Sequence, residues 1–386
     1  VNIDERIERR LGYGTTTGVV VDADALSPVS HRSSPVGRGP DLERLLDALD
    51  PAFTGSLPPS MYIHGPKGSG KSAVVTALFA RLAAHGGQKQ SIQTSTRAVD
   101  PVLPEFAYVD LRHAHTRFRL YHDVLSAISD EPVPDHGIGT EELAEELADT
   151  VSGRMDVVVA LDHTDEPASP SVSTAIEWLS AVNTRIVPVC LGREPPTSIN
   201  WDPEVSIEFD RYRHHVLVEL LTTRVSSGLT QHAITHDQVR EVSEWAEGDA
   251  HDALAAIMGA ALHAEQSDAP TISTADLDIG IEGVPKPCVS LGRVLALSES
   301  RQRLLYELVS LSEPDRASVN AATESIAAAP AVDLSPSTVR RILYELADVG
   351  LLDRVTAPRS KGKGRPPSRL VPRFPTLLFR ELFGQQ

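Results

Sequence analysis

The 386 residues, 41% hydrophobic and 5% aromatic, suffice for two or three domains with real cores. No apolar run of about twenty residues, no basic-then-apolar leader in Val1-Asn2-Ile3-Asp4-Glu5-Arg6 and only two cysteines, Cys190 and Cys288, argue against a helical membrane span and a disulfide-framed secreted domain, so a cytoplasmic protein is expected. The net charge is −17, yet only 6 of the 36 basic residues are lysine, which fits concentrated salt, a G+C-rich coding sequence or both; a halophilic, archaeal source is the expectation.

Residues 1–35 read as an irregular arm, rich in Gly, Thr and Ser around Tyr13-Gly14-Thr15-Thr16-Thr17-Gly18. Behind Gly37-Arg38-Gly39-Pro40-Asp41, the residues Leu42, Leu45, Leu46 and Leu49 recur at helical spacing. Met61-Tyr62-Ile63-His64 is a short apolar strand, and Ala73 to Leu82 reads as a helix. Between them, Gly65-Pro66-Lys67-Gly68-Ser69-Gly70-Lys71-Ser72 fits G-x-x-x-x-G-K-[ST] at every fixed position. Strand, glycine loop and helix in that order aim backbone N–H groups and a helix N-terminus at a phosphate chain. Lys71 would reach the β- and γ-phosphates of ATP or ADP, and the Ser72 hydroxyl would ligate Mg²⁺. The alternative is a Gly/Ser surface turn that matches by chance; the flanking strand and helix favour nucleotide binding.

Residues 86–104, polar and proline-punctuated, read as a loop. Phe106 to Leu111 is a second strand, followed by helices over about Thr116 to Ile128 and Glu141 to Val151. Val157-Val158-Val159-Ala160-Leu161, Ile186 to Leu191 and Val205 to Phe209 are three more strands. Continuous apolar strands alternating with helices predict a parallel sheet covered on both faces, an α/β class. Cys190, inside an apolar run, reads as a buried small side chain. Arg213 to Gly280 shows only helical periodicity and predicts a helical lid, and Pro285-Lys286-Pro287 marks a linker.

From Cys288 onward the pattern is helix, helix, helix, hairpin. Ser335-Pro336 is a helix start, and Val339, Ile342, Leu343 and Leu346 share one apolar face. Ser337, Thr338, Arg340, Arg341 and Tyr344 are left pointing outward, and Gly350 ends the helix. Leu351 to Thr356 and Arg369 to Val371 would be the strands of a wing, whose loop carries Arg359, Lys361, Lys363 and Arg365 and no acid. Ser335 to Gln386 holds ten basic and four acidic residues, a net of +6 that leaves −23 on the other 334. A basic end on an acidic body is the footprint of a protein that offers that end to double-stranded DNA. Lys363-Gly364-Arg365-Pro366-Pro367 is also similar to the core of minor-groove AT-hook peptides.

Hydrolysis needs more than the loop. Asp162 closes the 157–161 strand, where a buried carboxylate is expensive without a cation or hydrogen bonds, and it is the candidate Mg²⁺ ligand. The competing role is capping the next helix. His163 follows where ATPases of this kind usually carry glutamate, with Asp165 and Glu166 nearby but out of that register.

In this ordered set the chain resembles the archaeal origin-recognition and cell-division-cycle replication initiators, AAA+ ATPases with a C-terminal winged helix. The resemblance runs over about 360 residues: Val19-Val20-Val21-Asp22-Ala23-Asp24-Ala25-Leu26-Ser27, Arg38, the phosphate loop, Tyr108-Val109-Asp110 with Thr116, Pro134 to Gly139, the Asp162 strand, Ile207 to Tyr212, Gly248 to Leu254, and the winged-helix pattern. It implies an AAA+ nucleotide-binding core at 36–212, a helical lid at 213–284 and a winged-helix DNA-binding domain at 288–386. It implies phosphate and Mg²⁺ contacts for Lys71, Ser72 and Asp162, and it puts His163 where the water-activating glutamate belongs. The polar sensor after the fourth strand falls at Arg193, and the lid arginine that meets the γ-phosphate falls at His251. No arginine finger is recognisable in Pro195 to Asp202.

The expectation is therefore a replication initiator that binds adenine nucleotide and double-stranded origin DNA, with hydrolysis slow or lost and His163 and Arg193 as the catalytic candidates. Homologous initiator subunits and the replicative helicase are the partners the resemblance implies. A non-enzymatic winged-helix regulator of transcription or plasmid maintenance on a repurposed AAA+ core stays open beside it, as does a working ATP-driven loader.

Overall fold

The computed structural model describes residues 18–90, 103–152, 156–356 and 368–384. They form two compact units: residues 31–216, and a second unit made of the residues up to 30 together with those from 217 onward.

A one-turn helix α1 (Ala23–Leu26) precedes the elements of the 31–216 unit. These are α2 (Gly39–Phe53), β1 (Met61–His64), α3 (Lys71–Gln90), β2 (Glu105–Asp110), α4 (Arg117–Ile128), α5 (Thr140–Ser152), β3 (Val157–Asp162), α6 (Val172–Val182), β4 (Ile186–Gly192) and β5 (Val205–Glu208). The strands make one sheet in the order β2-β3-β4-β1-β5, and every pairing is parallel. All six residues of β3 are buried, because its side chains alternate between two apolar layers. Val157, Val159 and Leu161 pack into the layer shared with α4, α5 and α6. Val158 and Ala160 pack with Leu45, Leu49, Val75 and Phe79 of α2 and α3. Thr116 and Ser171 start α4 and α6 by accepting the N–H of Arg119 and Thr174, which a helix's first turn leaves without an internal partner.

Two local expectations need correction. The helix after the glycine loop does not stop near Leu82; it runs to Gln90 and takes the first residues of the supposed 86–104 loop. Gly86 and Gly87 cost roughly 1 kcal/mol each in a helix without ending it, and no proline intervenes. The helix α6, whose buried Val172, Ala175 and Leu179 follow helical spacing, lies in a stretch where no element was read.

The second unit continues through α7 (His214–Gly228), α8 (His236–Trp245), α9 (Ala250–Gln266), α10 (Thr274–Glu282), α11 (Leu291–Leu295), α12 (Glu299–Ser310), α13 (Val319–Ala327), α14 (Pro336–Asp348), the antiparallel hairpin β6 (Leu352–Thr356) and β7 (Ser368–Pro372), and α15 (Thr376–Gly384). Helix α9 is its axle, buried on nearly every side. At Gly280 of α10 an added Cβ would lie 2.3 Å from the Ala256 carbonyl oxygen, so only glycine permits that approach. The lid and the winged helix share this unit. From residue 18 the supposed arm is packed but, outside α1, irregular as expected: Val20 bridges Leu229, Val19 and Leu26 are buried, and Asp22 caps α1. Residues 1–17 of the arm lie outside the described residues.

Candidate functional sites: a phosphate cradle and a winged helix

Because the sheet is parallel, the C-terminal ends of β1 to β4 open on one edge, the position where such sheets bind ligands. The glycine loop leaves β1 there. Gly65, Gly68 and Gly70 hold φ of 144°, 70° and 85°, values that side chains disfavour. A Cβ on Gly70 would lie 2.5 Å from the Tyr212 hydroxyl, and one on Gly65 would lie 2.1 Å from the Phe209 carbonyl oxygen. The loop is thus held against the segment after β5. Arg38 braces that segment, donating to the Asp210 carbonyl at 2.6 Å and lying over the Tyr212 ring at 4.0 Å.

Lys71 opens α3 and folds back over the loop. Its Nζ donates to the Gly65 and Pro66 carbonyls at 2.7 and 2.9 Å and to Ser69 Oγ at 3.3 Å. Burial lowers its pKa to about 8, against the opposing pull of Asp162 and Asp165. A buried ammonium whose partners are neutral carbonyls is under-compensated, and an anion in the cradle would answer it.

Asp162 ends β3, one strand removed from β1, and is 2% exposed. Its Oδ2 accepts the Tyr108 hydroxyl at 2.6 Å and its Oδ1 accepts the His163 N–H at 2.7 Å. Burial alone would raise its pKa, but the neighbouring His163 and hydrogen bonds from Ser72, Tyr108 and the His163 amide hold it below the usual carboxylate value. The Ser72–Asp162 contact joins the two residues singled out as Mg²⁺ ligands. A hydroxyl and an ionised carboxylate are the oxygen donors a hard cation takes, so this pair fits Mg²⁺ and the glycine cradle fits a phosphate chain. Asp162 does not cap the following helix; Ser171 does that for α6.

His163 adopts φ of 63°, left-handed for a non-glycine residue, with Nε2 at 3.6 Å from Asp162 Oδ2. Arg193 follows β4, the strand between β1 and β3. Its Nε donates to Asp165 Oδ2, and its Nη2 lies 3.5 Å from Glu166 Oε1. The two acids set aside as out of register therefore form the ion-paired surroundings of Arg193. A further neighbour is Asp110, paired in register with Asp162 across β2 and β3 and held by a forked bond from Arg112. Cys190 is buried in β4, and burial pushes its thiol pKa up, as expected of an inert core cysteine.

His251 sits in the second unit and is buried. Its Nδ1 lies 2.9 Å from Asp252 Oδ1, and its Nε2 accepts the Leu291 N–H at 2.9 Å. Both ring nitrogens are engaged within that unit, a use the resemblance did not suggest.

In the winged helix, α14 starts as expected: Ser335 Oγ accepts the Thr338 N–H at 3.3 Å, and Pro336 takes the first turn. Val339, Ile342, Leu343 and Leu346 are buried. Ser337 and Arg341 are exposed, while Thr338, Arg340 and Tyr344 are half-buried on the outer side. Arg354 of β6 lies over the Tyr344 ring at 4.5 Å, which fixes the wing to the helix. Glu345 accepts from Arg341 Nη1 and, at 2.7 Å, from Arg301 Nη2. Neither Arg354 nor Arg301 was singled out from the sequence. Arg354 lies in an expected strand, but no local pattern points from α12 to α14. Arg359, Lys361, Lys363 and Arg365 lie outside the described residues.

A family model of the AAA ATPase domain matches residues 34–191. ORC1-type DNA replication protein 6 of Halobacterium salinarum is 27% identical over 385 residues, covering 93% of this chain and 94% of its own length. The fold is similar to that of the Aeropyrum pernix ORC1 protein determined in complex with DNA, with TM-score 0.64, 20% identity and coverage of 96% of this chain and 98% of that one. It is also similar to the ORC2 protein of the same organism, determined in ADPNP–ADP complexes, with TM-score 0.54, 15% identity and coverage of 95% and 98%. The chain is thus similar over most of its length to ORC1-type DNA replication proteins, in sequence and in fold, and carries an AAA ATPase domain match in its parallel-sheet unit.

Proposed function

We propose that the protein is a replication-initiator-like factor that holds adenine nucleotide with Mg²⁺, binds double-stranded origin DNA through its winged helix, and hydrolyses nucleotide slowly or not at all. The meeting of Lys71, Ser72 and Asp162 on one sheet edge, in a chain that also carries a winged helix, is the observation that supports it. The backbone N–H groups of residues 65–72 and the Lys71 ammonium would bind phosphate oxygens, and Ser72 and Asp162 would hold Mg²⁺, which neutralises phosphate charge when bound. Tyr108 and the His163 amide keep the Asp162 carboxylate ionised and aimed.

The slow turnover follows from what stands around that cradle. His163 replaces an acid and is held in a left-handed backbone, and Arg193 is ion-paired to two carboxylates. Losing one group that stabilises transition-state charge typically costs about 10²–10³ in rate, so several such changes nearly silence hydrolysis. Purified full-length protein is expected to take up ATP and ADP in concentrated KCl with turnover far below about 1 s⁻¹, the low end for working enzymes. Turnover at that rate overturns the slow-hydrolysis reading, and no nucleotide uptake at any ionic strength overturns the whole.

The pairing of Arg193 with Asp165 and Glu166 also favours a second reading, a regulator of transcription or plasmid maintenance that no longer uses hydrolysis. Genome-wide mapping of bound sites separates the two: origins support the initiator, promoters the regulator. Helicase recruitment and assembly with homologous subunits belong to the initiator reading alone.

A further inference from the structure

The outer side of α14 carries a carboxylate among its arginines. Glu345 lies one turn beyond Arg341 and accepts from it, and its other oxygen accepts from Arg301 of α12 at 2.7 Å. One carboxylate thus gathers two guanidinium groups from two helices. The cluster is open to solvent, with side-chain exposures of 64% for Arg341, 35% for Glu345 and 37% for Arg301. Pairs this exposed contribute roughly 0–1 kcal/mol, and an acid placed after its base at i,i+4 is the weaker helical order. Stability is therefore a poor reason for it.

Its position gives a better one. Phosphates are identical on every duplex, so an uncommitted arginine adds affinity and no sequence information. An arginine tied to a carboxylate keeps several N–H donors but loses most of its pull on a phosphate, and its planar fork is held in one direction. Base edges reward a held direction; the phosphate backbone does not. We propose that Glu345 is a specificity-determining residue for duplex DNA: it withholds Arg341 and Arg301 from indiscriminate phosphate contact and orients the free donors of Arg341 for base edges. This rests on the DNA-binding reading above.

The test uses full-length wild type, Glu345→Gln and Arg301→Gln. Each is titrated across a KCl series with a duplex enriched by the wild type from a random-sequence pool and with its scrambled counterpart. Glu345→Gln is expected to bind the scrambled duplex about five-fold tighter at a given salt and to gain nothing on the enriched one. Its log K against log salt slope on scrambled DNA steepens by about one. Arg301→Gln, which keeps the Arg341–Glu345 pair, retains most of the wild-type selectivity. A wild-type selectivity ratio and slope in Glu345→Gln overturn the inference and leave DNA binding standing. Equal loss on both duplexes in both variants, with a lowered Tm, means that Glu345 only ties α14 to α12 and overturns it too. A wild type that binds neither duplex overturns the DNA-binding reading and this inference together.

Discussion

The imidazole of His251 caps the helix that opens the winged-helix segment: its Nε2 accepts the N–H of Leu291, the first residue of α11, at 2.9 Å. Ser290, in the N-cap position, makes no side-chain capping bond, so the histidine supplies the acceptor from α9 instead. That bond fixes the tautomer, since Nε2 must offer its lone pair and Nδ1 then carries the proton toward Asp252. His251, Asp252 and Cys288 bring three ligand-type atoms within 4.8 Å of one another, yet neither ring nitrogen keeps a lone pair for a cation. His251→Ala is expected to cost about 1–3 kcal/mol in denaturant unfolding, from the lost cap and the partner removed from buried Asp252. It is expected to leave ATP affinity within about two-fold. A ten-fold loss of affinity with unchanged stability would instead assign His251 to the γ-phosphate. Added Zn²⁺ is expected not to raise the Tm of the wild type.

Lys71 gives a pH signature. Its pKa falls from 10.5 to about 8 through burial. A base whose folded pKa lies below its unfolded value costs stability while it is charged. That cost is fully present below about 8 and is relieved as pH climbs from there toward 10.5, so nucleotide-free protein gains stability across this window. A triphosphate beside the ammonium favours its charged form and raises the pKa again. Nucleotide binding at pH 9 is therefore expected to take up close to one proton and at pH 6.5 almost none, read from calorimetric heats in buffers of different ionisation enthalpy. Lys71→Met abolishes the difference.

The parallel sheet was legible because β3 and β4 are continuous apolar runs, and no period-2 polar face competes with that reading. The phosphate loop was legible because its geometry needs glycine at fixed steps. The end of α3 was not, since polarity after Leu82 looks alike in a loop and in a helix end. Tyr108, Asp165 and Glu166 were visible as residues but not as partners. Their roles depend on which strands adjoin, and strand order is absent from local pattern. His251 was legible only through the resemblance, which put it at a phosphate; its bond to a backbone N–H forty residues along the chain depends on packing that no local pattern shows.

Tyr108 holds the Asp162 carboxylate at 2.6 Å from a neighbouring strand. Tyr108→Phe keeps the ring and removes only the donor, leaving a buried carboxylate one partner short, at about 1–3 kcal/mol. The Asp162 pKa is expected to rise from its lowered position. Affinity for nucleotide with Mg²⁺ should then fall more than affinity without it, with the deficit growing as pH drops. Equal affinity of the variant and wild type at pH 5.5 and 8 would remove Tyr108 from the site.

Under the proposed reading, Asp165 is expected to set how much of Arg193 a phosphate can use. The acid binds the guanidinium directly, and burial, which by itself lowers the Arg193 pKa, is outweighed by Asp165, so the arginine stays charged and committed. Asp165→Asn keeps the shape and removes the charge, which makes the surroundings of the cradle less repulsive to an anion and loosens Arg193. The γ-phosphate distinguishes ATP from ADP, so the variant is expected to tighten ATP by about ten-fold and ADP by much less. Turnover is expected to stay slow, because His163 still stands in place of an acid. Competitive titration with a fluorescent nucleotide at pH 7 gives both affinities. An equal gain for ATP and ADP would mean that Asp165 acts only through the general field, and a jump in turnover would make the Asp165–Arg193 pair the brake on hydrolysis.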